Sequence, residues 1–247
     1  MRFSLLTIGL FGAVASFGQV AFEVASIKPW TSRELGSVYT YPGGRVAFRG
    51  CTVEYLIQQA FNTQRFQISG GPGWMRSERY DIDAKPPETS KSSRSMTPYP
   101  KAPLNEEQRQ MLQSLLAGRF QLHYHRDARE GPVYLLVRGS KPLRMTDSKD
   151  KQAYPWSRVS DEGLSGINES MPDLAWRLSQ ALDRPVQDQT GISGSFDFQI
   201  TYSSAAAEPD LIAQTFATVQ ELGLKLEPSK GSVDVIVVER VEKFSAN

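Results

Sequence analysis

Thr52-Val-Glu-Tyr-Leu-Ile-Gln-Gln-Ala-Phe61 and Ser170-Met-Pro-Asp-Leu-Ala-Trp-Arg-Leu-Ser-Gln-Ala-Leu182 follow one pattern, and the fold is read from their likeness. Each begins with a hydroxyl side chain that can cap a helix, and Asp173 adds a box position in the second. Each continues with an apolar stripe at helical spacing: Val53, Leu56, Ile57, Ala60 and Phe61 in one, Leu174, Leu178 and Leu182 in the other. Working outward, Ile68 falls on Val186, and Tyr80-Asp81-Ile82 falls on Phe196-Asp197-Phe198. Beyond a shorter loop, Leu112, Leu115, Phe120 and Leu122 are laid on Phe216, Val219, Leu224 and Leu226. Self-similarity over this many elements decides architecture before any local assignment.

Each half reads β-α-β-β-α-β-β. The expectation is an α+β protein of two similar units with small mixed sheets, packed as one compact body. The first unit spans 22–140, from an opening strand at Phe22 to Ile27. The second spans 163–247, with a polar connector at 141–162. In the first unit, Gly70-Gly71-Pro72-Gly73 is a turn and Asn105 to Gln108 a capping box. Residues 86–103, rich in Pro, Ser, Thr and Lys, read as a mobile loop. Phe120 to Tyr124 and Val133 to Val137 read as two strands separated by the Gly131-Pro132 turn. Leu224 to Leu226 and Val233 to Val241 are their counterparts. Asp81 and Asp197 are expected to make equivalent hydrogen bonds to turns.

The 247 residues carry a net charge of +1, which gives no footprint for nucleic acid. Met1-Arg2, the apolar run from Phe3 to Ala15 and the small residues after it form the three-part pattern of a signal peptide over 1–18. No integral membrane span is expected once that segment is removed. The single cysteine, Cys51, allows no internal disulfide, so packing must hold the mature chain together.

Several segments taken in order are distinctive: Phe22-Glu-Val-Ala-Ser-Ile-Lys-Pro29, Ile68-Ser-Gly-Gly-Pro-Gly-Trp74, Glu78-Arg-Tyr-Asp-Ile82, Val186-Gln-Asp-Gln-Thr-Gly-Ile192, Leu222-Gly-Leu-Lys-Leu-Glu227 and Val235-Ile-Val-Val-Glu239. Together they resemble a large family of uncharacterised exported proteins of soil-associated bacteria, a domain of unknown function. The resemblance runs from Phe22 to Asn247. It implies a domain that stands alone behind a signal peptide or is appended to the membrane metallopeptidase of antibiotic-sensor proteins, whose zinc-binding helix motif is absent here. It supplies no catalytic residues. Each half is also similar to the short N-terminal domain of secretins and TonB-dependent receptors, best from Leu174 to Val238. That likeness implies a small βα module making protein contacts in the periplasm, and it is a likeness of fold alone.

Candidate chemistry is sparse. His123, His125 and Asp127 share a strand face and are candidate metal ligands. On a flat strand such residues stand about 7 Å apart, wide for one ion, so no metal is assigned. Cys51 precedes a helix, but a nucleophile needs a positioned base, and a small buried residue explains it as well. Gly191-Ile-Ser193-Gly-Ser195 fails as a nucleophile elbow because a strand follows it. Gly71, Gly73 and Trp74 are candidate ligand-binding residues, by backbone N–H groups and ring stacking. Trp176 is a second aromatic off its helix's main stripe. No cofactor is expected. The function expected is a non-enzymatic periplasmic or extracellular binding module whose partner is another exported or envelope protein. A small-molecule or peptide sensor is the alternative, and a hydrolase the third reading.

Overall fold

Capping chemistry sets the helices where the sequence places them. Thr52 Oγ1 accepts the Tyr55 N–H at 3.2 Å ahead of α1 (Val53–Phe61), and Ser170 Oγ accepts the Asp173 N–H at 3.2 Å ahead of α3 (Met171–Leu182). Both helices end on a left-handed residue, Asn62 (φ 50°) and Asp183 (φ 47°), residue types that tolerate that conformation. Ahead of α2 (Glu106–Arg119), Asn105 and Gln108 make the reciprocal box foreseen in the sequence, at 3.0 and 2.9 Å. The carboxylate of Asp210 accepts the Ile212 N–H at 2.9 Å at the head of α4 (Leu211–Glu221).

The computed structural model describes residues 20–31, 36–92, 103–151, 153, 155–160, 162–201 and 210–245. The expected signal peptide at 1–18 and residues 93–102 of the expected loop lie outside them. Among the described residues are four α-helices and three four-stranded sheets, an α+β protein. The chain forms two compact units, 1–51 with 79–119, and 52–78 with 120–247. Neither coincides with the segments 22–140 and 163–247, for a reason the strand pairing supplies below.

In the first unit, β1 (Val24–Pro29), β5 (Arg79–Lys85), β3 (Val46–Thr52) and β2 (Ser37–Thr40) form a sheet in the order β1-β5-β3-β2. Arg49 Nη2 donates to both carboxylate oxygens of Asp83, at 2.8 and 2.9 Å. The Gly50 N–H donates to Asp81 Oδ1 at 2.8 Å, and Gly50 has φ 57°. Residues 86–92 are held by buried Pro86 and by hydrogen bonding. Glu107 accepts the Ser90 hydroxyl, the Ser92 N–H and the Ser92 hydroxyl at 2.8–2.9 Å, and both serines are buried. A segment with little apolar to bury can still be fixed by a carboxylate at a helix start.

The second unit holds two sheets. One contains β7 (Thr146–Asp147), β8 (Trp156–Ser160), β9 (Gly163–Glu169) and β11 (Phe196–Thr201) in the order β7-β11-β9-β8. Strands β7 and β8 lie within the stretch expected as a polar connector. The buried position of β8 is Ser157 and an exposed one is Trp156, so its alternation does not show as apolar-in, polar-out in the sequence. This sheet repeats the strand order of the first unit's sheet, with β7, β8, β9 and β11 for β1, β2, β3 and β5. Its Asn168 N–H donates to Asp197 Oδ1 at 2.8 Å, and Asn168 has φ 50°. The bonds of Asp81 and Asp197 are equivalent in geometry and distance, but their donors are left-handed residues inside β3 and β9, not the turns expected.

The other sheet has the order β10-β6-β12-β4. Its centre is a ribbon of two long antiparallel strands, β6 (His123–Arg138) and β12 (Leu224–Arg240). The sequence reads each as two strands, with a turn at Gly131-Pro132 in the first. They run on because Gly131 lies directly opposite Gly231 and because the prolines sit where no ladder bond is lost. Tyr134 turns its N–H away from β12, donating to Pro185 O at 2.8 Å. Pro132 has the same parity, so its missing N–H faces the ribbon's open side. The end of each helix–strand joint also corrects the alignment of the halves. Gln121 (φ 50°) and Gly223 (φ 89°) are the left-handed residues there, so Leu122 matches Leu224, not Leu226.

That equivalence lays Glu130 on Ser232, which pair with one another, so the ribbon has a local two-fold axis through them. The flanking strands obey it. Strand β4 (Ile68–Gly70) pairs in parallel with β12 from Ile236, and β10 (Val186–Asp188) pairs in parallel with β6 from Tyr134. Each short strand thus completes the long strand of the other sequence half. Fully buried Leu136 of β6 accordingly packs in one core with Leu164, Leu174, Leu178, Phe198 and Val219.

Candidate binding groove

The ribbon's axis is where the second unit is hollow. A groove of about 380 Å³ lies there, within the roughly 300–1,000 Å³ of small-ligand sites. Its floor comes from Gly131 and Pro132 of β6 and Val233 and Val235 of β12. Alternate residues of a strand share a face, and Val233 sits directly opposite Arg129, which also lines the groove. A Cβ built on Gly131 would meet only Val233 Cγ2, at 3.8 Å, an ordinary contact. The missing side chain leaves room without being demanded by the backbone.

One wall is Phe66 and Ser69, where a 3₁₀ turn runs into β4. Ser69 Oγ is buried with no hydrogen-bond partner among the described residues. The other wall is Asp183-Arg184-Pro185, the C-terminal cap of α3. The Arg184 guanidinium stacks over the Tyr134 ring at 4.7 Å and has no ion-pair partner among the described residues. Tyr134 is itself held edge-on by Phe216, at 5.2 Å between centroids. Of the two arginines here, Arg129 is already committed to Asp127 at 2.9 Å. Phe66 and Arg184 occupy equivalent places in the two halves, just ahead of β4 and β10. The groove therefore has an apolar wall and a cationic wall.

The residues singled out in the sequence lie elsewhere. Gly71 (φ 71°) packs so closely that a Cβ would meet Met75 Sδ at 2.6 Å. Gly73 opens a short 3₁₀ turn, and half-buried Trp74 is covered by the Lys243 ammonium, 5.8 Å from its ring centre, which also pairs with Glu78. These three build the turn after β4 and do not line the groove. His125 Nδ1 is 2.7 Å from Glu239 Oε1, while Asp127 takes the Arg129 guanidinium and the Ala128 N–H. The Arg129 bond holds the Asp127 carboxyl below its ordinary range. His123 faces Arg240 across the ribbon. The three candidate ligands are thus exposed and not gathered. Among the described residues no three His, Cys, Asp or Glu side chains are grouped to hold a metal ion. A second concavity lies beside the N-terminus of α3, along Asp188 to Gly194, where Ser170 is already spent on its cap.

Cys51 is fully buried, and its thiol reaches only the Ser37 and Arg49 carbonyls, at 3.5 and 3.6 Å. Burial pushes the thiol up to about 12. It stays protonated where an ordinary thiol ionises, which removes it as a nucleophile. Native protein treated with iodoacetamide near pH 8.5, the ordinary thiol value, is expected to remain unlabelled and to react stoichiometrically in urea. Fast labelling of the native protein would contradict the assignment. In β9, Glu169 takes the place that Cys51 has in β3. Burial raises its carboxyl above the ordinary range, against a 2.6 Å hydrogen bond from the Ser157 hydroxyl.

Residues 54–241 match the family model described as "Protein of unknown function (DUF3738)". No curated protein and no solved structure matches the chain. No helix among the described residues is long and apolar enough to cross a membrane.

Proposed function

The chain belongs to the DUF3738 family, proteins of unknown function, and we propose that it is an exported, non-enzymatic binding module built by duplication of one βα unit. The repeated strand order, the paired Asp81 and Asp197 bonds and the reciprocal pairing of β4 and β10 support the duplication. The observation that carries the binding role is the groove on the ribbon's axis. It is mainly apolar, of ligand size, and furnished with a few polar groups that the fold itself leaves unused. Because the groove straddles the axis, duplication yields one site per chain, not two. Export rests on the pattern at 1–18.

The uncharged dye N-phenyl-1-naphthylamine tests this reading. Fluorescence titration of the full chain is expected to saturate at one dye per chain. Gly131→Leu, whose side chain would fill the groove without backbone strain, is expected to abolish binding while the melting temperature stays within a few degrees. A full chain that binds no dye, or a Gly131→Leu chain that binds it unchanged, would overturn the assignment.

A further inference from the structure

The two walls of the groove specify a kind of ligand, and this step rests on the binding role proposed above. We infer that the groove takes a ligand with an apolar body and a single acidic group, seated with the acid at Arg184 and the body against Phe66 and Val235.

Charge is the first argument. Arg184 is half-buried, fixed over Tyr134 and without an ion-pair partner among the described residues. A half-buried guanidinium held against an aromatic ring is incompletely solvated, and an anion that reaches it gains more than it would from an exposed cation. The other charges nearby do not cancel it. Arg129 and Asp127 neutralise one another at 2.9 Å, and the Asp183 side chain is exposed to water, where its field is screened. Shape is the second argument. Phe66, Pro132, Val233 and Val235 offer no donor from their side chains, so the rest of the ligand must be apolar to replace the water it expels. Ser69 Oγ, buried and unpartnered, supplies one additional polar contact on the apolar wall. Position is the third. Phe66 and Arg184 are equivalent residues facing each other across the axis, so the ligand sees two unlike walls and binds in one orientation.

Two dyes with the same body separate the possibilities. 8-Anilinonaphthalene-1-sulfonate differs from N-phenyl-1-naphthylamine only by its sulfonate. Titrated into the full chain, the sulfonate dye is expected to bind at one per chain and about tenfold tighter than the neutral dye, about 1.4 kcal/mol. Arg184→Gln should bring the two dyes to equal affinity, and Arg184→Lys should keep part of the difference. Melting curves on both variants establish that each is folded, and the lysine variant carries the test if the glutamine variant is not. Equal affinities for the two dyes in the unaltered chain, or a loss shared equally by both dyes in Arg184→Gln, would overturn the acidic-ligand inference while leaving the groove a binding site. Binding of neither dye would overturn the binding role itself.

Discussion

Leu136→Ala is expected to destabilise the protein by about 2–5 kcal/mol, and to do so in the half of the sequence to which Leu136 does not belong. Leu136 is fully buried, and its neighbours in the core are Leu164, Leu174, Leu178, Phe198 and Val219. Its strand also carries β10 on one edge and β12 on the other, so the cavity left by truncation cannot close by a simple side-chain shift. The loss has two parts, the apolar area no longer buried and the contacts forfeited around the void. Urea denaturation gives the magnitude, and hydrogen exchange gives the place. Protection in α3 and β11 should fall first. Unchanged exchange there, with loss confined to residues before the connector, would mean that the halves do not complete one another.

Asp81→Ala and Asp197→Ala are each expected to cost about 1.5–3 kcal/mol, the worth of a hydrogen bond to a charged acceptor. Each carboxylate receives the N–H of a left-handed residue two positions ahead of a helix cap, Gly50 before Thr52 and Asn168 before Ser170. Truncation leaves that N–H unpaired at a left-handed residue that already interrupts the regular backbone of its strand. Asparagine at either position keeps an acceptor of the same shape and should recover most of the loss. Two matched costs in denaturant titrations are the expected result. A cost at one site alone would mean that the shared geometry is coincidence.

Much of this architecture was legible in the residues. The caps at Thr52, Asn105 and Ser170 are local, and local chemistry leaves local marks; the two Asp bonds join residues 31 and 29 apart, and only the recurrence of Tyr80-Asp81 as Phe196-Asp197 marked them. What escaped is what depends on pairing. Gly131-Pro132 has the composition of a turn, and only the presence of Gly231 opposite, with an open edge beside Pro132, makes it the middle of a strand. Trp156 to Ser160 was hidden because its alternation is mostly between polar residues. The groove was missed for a similar reason. Phe66 reads as a strand residue and Arg184 as the charged end of a helix, and nothing in their spacing says that they face each other. Laying Phe66 on Arg184 was the available signal, since an aromatic matched to a cation is out of keeping with a repeat otherwise matched in its core. Gly71 and Trp74 drew notice because glycine and tryptophan are conspicuous, yet they are occupied in building a turn.

The long ribbon also sets the order in which this protein can be finished. Strand β6 ends at Arg138, but its partner is not complete until Arg240, about a hundred residues later. During synthesis the first half therefore carries an unsatisfied strand edge for as long as the second half takes to emerge, and such edges invite association between chains. Closure joins residues far apart in sequence, which makes it slow. Refolding from denaturant should accordingly be lost to aggregation as protein concentration rises, and a chain cut short before Leu224 has no native edge to close upon.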